Sequence, residues 1–185
     1  MGFASVSESL VLTPEQEAQL RAAAVSDAPA ELSKLETVET EMDLFYALPR
    51  ATFAAYHLEK FALAGELARK SLDIAPLYMD NWNYGNAIHA AHTVLGLLAL
   101  RNENLKVALD ELKKSGDTKG SPQLGSFGPT MQLAKALLRN GESQAVLAYL
   151  EQCRVFWKMG GEWLDIWEEK IKAGTVPNFF MHGFR

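Results

Sequence analysis

The sequence predicts an all-α protein in which antiparallel helix pairs stack side by side as a short solenoid, closed by a C-terminal capping helix. Three observations carry that prediction. Small residues recur at offsets that let two paired helices approach closely: Ala64, Ala68 and Ser71 ahead of Pro76; Leu95-Gly96 with Leu105, Ala108, Leu112 and Ser115; Leu133-Ala134 with Val146, Leu150 and Cys153. Apolar side chains fall on helical stripes, as Leu32, Leu35, Val38, Met42 and Phe45 do near one end and Trp163, Ile166, Trp167 and Ile171 near the other. Proline and glycine punctuate the stripes at Pro49, Pro76, Gly141, Gly174 and Pro177.

Taken in chain order, residues 1–12 carry no strong periodicity and are expected to form an arm. Thr13 then reads as an N-cap, with Pro14 at the first helical position and Gln16 completing a capping box. This helix is expected to reach about Val25 and to break at Ser26-Asp27-Ala28-Pro29. A second helix is expected over roughly 30–47, ended or kinked by Pro49. Helix pairs follow over roughly 49–59 with 62–74, 80–100 with 103–114, and 129–139 with 142–157. Asn81 is the expected N-cap of the second pair, Pro129 the start of the third, and Gly141 its turn. Between the second and third pairs lies a Gly/Ser/Pro-rich loop, 116–128. A last helix, about 161–172, presents the tryptophan stripe to the preceding pair, and the tail adds Phe179, Phe180 and Phe184. The organisation is one globular domain: N-terminal arm and helices 1–48, paired helices 49–157, cap and aromatic tail 158–185.

Composition narrows the function. With 48% hydrophobic and 22% charged residues, the chain has the make-up of a folded globular protein rather than a disordered one. No apolar run reaches the roughly 18 residues of a membrane span, and no cationic start leads an apolar stretch as in a secretory signal. The single Cys153 suits a reducing, cytoplasmic setting. The net charge of −5 is unevenly placed: residues 1–43 hold nine acidic and two basic side chains, the remainder fourteen and sixteen. Nucleic acid is therefore disfavoured as a partner, because duplex binding needs a concentrated basic face.

The segment EKFALAGELARKSLDIAP and the Leu95-Gly96 and Ala108 spacing resemble the tetratricopeptide repeat over about residues 45–157. The second and third Leu-small dipeptides stand 38 residues apart, against about 34 in a regular unit. His92 and Thr130 replace the family's large aromatic, and Val146 stands where the family has Ala. The resemblance implies a non-catalytic scaffold that holds partners without a cofactor. Its groove-facing positions map onto Phe53, Tyr56 and His57, then Thr93, Leu97 and Arg101, then Met131, Lys135 and Arg139. The family's carboxylate clamp is not carried over, because Val94 stands where its middle Asn belongs.

That mapped surface is apolar at one end and cationic at the other, which suits a peptide or protein partner with an acidic segment. The acidic stretch 31–43 is a candidate to fold back over it. A competing reading places a small-molecule or catalytic site in NWNYGNAIHAAH, residues 81–92, around Asn83, Asn86 and His89, with His57 nearby and Gln123, Leu124 and Phe127 reaching over as a lid. His89 and His92 are three apart on one helical face, but no carboxylate stands at ligand spacing, so no metal is assigned. Cys153, at a small-residue packing position, is expected to be buried and inert. The aromatics Phe156, Trp157, Trp163, Trp167, Phe179 and Phe180 are too many for a monomer's surface. They are expected beneath the last helix, with a homodimer contact, and so a self-assembling subunit, as the alternative.

Overall fold

Capping chemistry sets the first boundaries. In the computed structural model, which describes residues 13–183, the Thr13 hydroxyl accepts the Gln16 N–H at 3.2 Å and the Gln16 side chain accepts the Thr13 N–H at 2.9 Å. This box starts α1 (Pro14–Ser33). The arm expected over 1–12, and Phe184, lie outside the described residues.

The break expected at 26–29 does not occur. Ala28 is buried and Pro29 sits within α1, so the helix runs through the local breaker signal. The chain turns later, through a 3₁₀ turn at Lys34–Thr37. A second capping box, Thr40 with Asp43, then starts α2 (Glu41–His57). The single helix expected over 30–47 is therefore the end of α1 and the beginning of α2.

Pro49 neither starts nor ends a helix, because α2 runs through it. A proline inside a helix removes the N–H that would reach the carbonyl four residues back, a loss of about 3 kcal/mol or more when nothing replaces it. Here that carbonyl belongs to Phe45, and the buried Asn83 side-chain amide donates to it at 3.1 Å. A residue 38 positions away supplies the hydrogen bond that the proline cannot.

Beyond α2 the helices come as hairpins close to the expected bounds. α2 turns through Leu58–Lys60 into α3 (Phe61–Ile74). α4 (Tyr84–Arg101) pairs with α5 (Leu105–Gly116). A short α6 (Pro122–Phe127) lies in the 116–128 loop. α7 (Gln132–Arg139) pairs with α8 (Ser143–Phe156) across Gly141, whose φ of +87° is open to glycine at little cost. α9 (Gly161–Lys172) closes the order.

Two starts differ from expectation. Asn81 does not cap α4; its side chain accepts the Asn83 N–H at 2.9 Å and donates to the Tyr46 hydroxyl at 3.0 Å. α7 begins three residues after Pro129, because the backbone N–H groups of Thr130 and Met131 are drawn to the His89 ring and the His182 carbonyl.

The packing is all-α among the described residues. α1 lies on α2; α2, α4 and α7 touch in succession; α5 touches α8, and α9 covers α8. Gly96 shows why small residues recur: a Cβ there would sit 2.3 Å from Leu133 Cδ2 and 3.2 Å from Glu111 Cβ, so three helices converge on a missing side chain. The largest core cluster fills the second half of the chain, from Leu97 and Leu112 through Leu133 and Leu150 to Leu164 and Phe179. The C-terminal aromatics join it: Trp157, Trp167 and Phe179 are buried, and the His182 ring lies 4.8 Å from Trp157 and 5.4 Å from Trp167. No helix of the described residues is long and apolar enough to cross a membrane.

Candidate functional site

The nine mapped groove residues stand on α2, α4 and α7, the three helices that touch in succession. On α2, Phe53, Tyr56 and His57 are half-buried and their rings lie against one another, Phe53 to His57 at 6.4 Å and Tyr56 to His57 at 6.1 Å. Thr93 and Leu97 on α4, and Met131 and Lys135 on and beside α7, are buried. Arg101 and Arg139, at the ends of α4 and α7, remain exposed. Arg101 turns away onto the Phe61 ring, its guanidinium 3.9 Å from the centroid. The middle of the mapped surface is covered rather than open.

α1 and the tail supply the cover. Glu17, near the start of α1, places a carboxylate oxygen 2.9 Å from the Lys135 ammonium across 118 residues, and the Asn178 carbonyl accepts from the same ammonium at 3.4 Å. An ammonium taken out of water needs such partners. Arg21, one turn on, lies near Tyr56 and His57: burial first, and then its charge, hold the His57 pKa below the usual imidazole value. Burial raises the Tyr56 pKa, with Arg101 and Arg21 opposing.

The inner side of α1 forms a stripe. Glu17, Leu20, Ala24, Ala28, Glu31 and Leu32 follow at helical spacing, and they are the residues of α1 that lose solvent. The acidic stretch 31–43, by contrast, uses three of its carboxylates locally. Glu31 pairs with Lys34 and Arg50, Asp43 caps α2, and Glu41 accepts from Tyr78.

The Asn/His cluster has internal partners throughout. Asn83 donates to the Phe45 carbonyl and accepts from Asn86 at 2.9 Å. Asn86 also donates to Gln123 at 3.1 Å and accepts from the Ser121 hydroxyl at 2.6 Å. This chain of amides ties α2 to α4 and α4 to the 116–128 loop. Gln123 is thus bonded to Asn86 rather than poised over a ligand, and Leu124 is buried.

His89 is engaged at both nitrogens. Nδ1 lies 3.1 Å from the Ser115 carbonyl, which only accepts, and Nε2 receives the Thr130 N–H at 3.1 Å. These partners fix the neutral tautomer with the proton on Nδ1. Burial, partly opposed by the Ser115 carbonyl, pushes its pKa down to about 4. His92 points elsewhere, 2.7 Å from Glu111, a carboxylate with no signal at ligand spacing in the sequence. His57, Asn86 and His89 therefore do not converge. Cys153 is fully buried, and burial pushes its thiol pKa up, which leaves little nucleophilic thiolate.

Neither of two hollows on the described surface is lined by that trio. The larger, about 590 Å³, lies between α3, α4 and α5 and is lined by Phe61, Gly65, Arg69, Leu98, Arg101 and Asn104 among others. The smaller, about 430 Å³, sits against the C-terminal aromatics Trp157, Trp163 and Phe180. No protein-family model, curated protein or solved structure matches the chain.

Proposed function

We propose that this chain is a tetratricopeptide-like, non-catalytic scaffold of a reducing cytoplasm, and that the face formed by α2, α4 and α7 receives a helical segment of a partner protein. The observation that supports this reading most directly is the Glu17–Lys135 pair. A cation at a mapped groove position is met by a carboxylate of a helix laid across it from the acidic end of the chain. What that face accepts in cis indicates what it accepts from a partner: a helix with a narrow stripe of small and apolar residues and an acidic side chain in register with Lys135.

α1 holds its place lightly. In a helix of twenty residues Ala28 alone is fully buried, so little apolar area opposes its release. A partner helix with a broader apolar stripe and an equivalent carboxylate would displace it, with Tyr56, His57 and Leu97 providing apolar contact and Arg139 lying at the cationic end.

The test is capture of partners from native cell extract by three forms of the full chain: wild type, Glu17→Gln, and Arg101→Glu/Lys135→Glu/Arg139→Glu. Circular dichroism establishes that each is folded. Glu17→Gln takes the carboxylate charge away from Lys135, weakens the hold of α1, and raises capture of the same protein that the triple variant loses. Capture indifferent to both changes would overturn the groove reading.

A further inference from the structure

We infer that the opposite charge is recognised at a second surface: the turn 77–82 laid against the start of α2 is a docking site for a basic protein segment with apolar anchors. The inference shares no residue with the groove and does not depend on it. Of eleven large hydrophobic side chains exposed among the described residues, five gather here: Met42, Tyr46, Leu77, Met79 and Trp82. The concentration is what sets this place apart, because scattered exposed apolar residues need no explanation.

The patch is built, not loose. The Trp82 and Tyr46 rings stack at 5.3 Å with planes 17° apart. Tyr46 also receives a hydrogen bond from Asn81, Tyr78 stacks on the buried Phe45 at 4.6 Å, and the Tyr78 hydroxyl donates to Glu41 at 3.3 Å. Both exposed rings are thus held in place before any partner arrives, so little ordering cost remains on this side. Trp82 is half-exposed, and Leu77 and Met79 are about two-thirds exposed. Tyrosine and tryptophan are the side chains most often found to anchor interfaces, and methionine adapts to varied shapes.

Charge selects the occupant. Glu36 and Glu39 precede α2, and Asp73 and Asp80 flank the turn, while Glu41 and Asp43 add negative charge from their places beside Tyr78 and Thr40. Between residues 35 and 49, and again between 71 and 100, there is no lysine or arginine. An acidic border around aromatic faces favours arginine or lysine side chains, which stack on the rings while pairing with the carboxylates. The same border repels phosphate, so a membrane headgroup or a nucleic acid is disfavoured. It also disfavours a twofold contact with a second copy, which would bring acidic borders face to face.

The experiment titrates the full chain into a fluorescent synthetic amphipathic helix carrying leucine and tryptophan on one face and arginines beside them, and into the same peptide with glutamates for arginines. The arginine peptide binds and the glutamate peptide does not. Trp82→Ala weakens binding about tenfold or more, and Asp80→Lys weakens it without touching an anchor. Failure of the arginine peptide to bind, equal binding of both peptides, or unchanged affinity in Trp82→Ala would overturn the assignment. A dimer that dissolves on Trp82→Ala would assign the patch to a second copy instead, and binding to anionic vesicles through Trp82 would assign it to a membrane.

Discussion

Acidification should destabilise this protein through His89 before its carboxylates respond. The ring is bonded at both nitrogens in the neutral form, so a proton arriving at Nε2 would turn an acceptor into a donor aimed at the Thr130 N–H, 3.1 Å away. In the unfolded chain the same imidazole takes a proton below about pH 6.5. In the fold it waits until about pH 4. Between those values the unfolded state holds one proton more, so stability falls as pH falls. The slope is at most about 1.4 kcal/mol for each pH unit, and the full loss from this one ring is about 3 kcal/mol once pH reaches the folded value. Against a total stability of about 5–15 kcal/mol for a domain, that is a large share.

The assay is urea unfolding followed by tryptophan fluorescence at about pH 7, 6 and 5, for wild type and His89→Gln. Glutamine offers an oxygen to the Thr130 N–H but has no proton to gain. Carboxylates held below their usual pKa, such as Asp110 and Glu168 beside lysine and arginine, withdraw stability only lower down, so the upper window isolates imidazole. His57, lowered by burial and Arg21, acts in the same direction in both proteins and cancels in the difference. Wild type should lose about 1–2 kcal/mol more than His89→Gln over that window. Parallel pH curves for the two proteins would refute the argument that His89 is locked neutral.

Further predictions test the packing and its hydrogen bonds. Gly96→Ala places a methyl 2.3 Å from Leu133 Cδ2 and should lower the urea midpoint by an overpacking cost of about 1–3 kcal/mol, less up to about 1 kcal/mol of gained helix propensity. Gly65→Ala meets the end of the flexible Arg69 side chain at 3.2 Å and Leu98 Cδ1 at an ordinary 3.4 Å, and should raise stability by up to about 1 kcal/mol on propensity. Asn83→Ala removes the donor to the Phe45 carbonyl and should cost about 1–3 kcal/mol. Pro49→Ala restores a backbone N–H four residues after Phe45, so the Asn83→Ala cost should shrink in that background, and a double-mutant cycle reads the coupling directly.

The hairpins were legible because their signals are local. Pro76, Gly141 and Gly174 punctuate, the stripes between them have helical period, and the expected helices at 62–74, 103–114, 142–157 and 161–172 fall within about two residues of α3, α5, α8 and α9. The N-terminal third was misread for a reason equally physical. Pro29 and Pro49 carry the strongest local breaker signal in that region, yet a proline's effect depends on whether its lost hydrogen bond is replaced. For Pro49 the replacement comes from Asn83, across the fold, and nothing within a helical turn of Pro49 announces it. The true boundary, Thr40-x-x-Asp43, was available, but an aspartate in place of Glu or Gln at the third helical position makes a weaker box on paper than in space.

The same distinction governs the candidate sites. Asn83, Asn86 and His89 drew attention because polar residues crowd a helix face, and crowding alone does not separate a ligand site from an internal joint. What separates them is satisfaction: Asn86 spends two donations and one acceptance on Asn83, Gln123 and Ser121, and His89 spends both nitrogens on Ser115 and Thr130. A polar group with its hydrogen bonds already made has little left to offer a ligand. Lys135 stands differently. Its ammonium is shared between the Asn178 carbonyl and the Glu17 carboxylate, and the carboxylate stands near the start of a thinly anchored helix, so that contact is the cheaper one to exchange. Lys135, whose carboxylate partner can be exchanged, and the exposed Tyr46–Trp82 pair are therefore better places to look for partners than the polar cluster, whose hydrogen bonds are made within the fold.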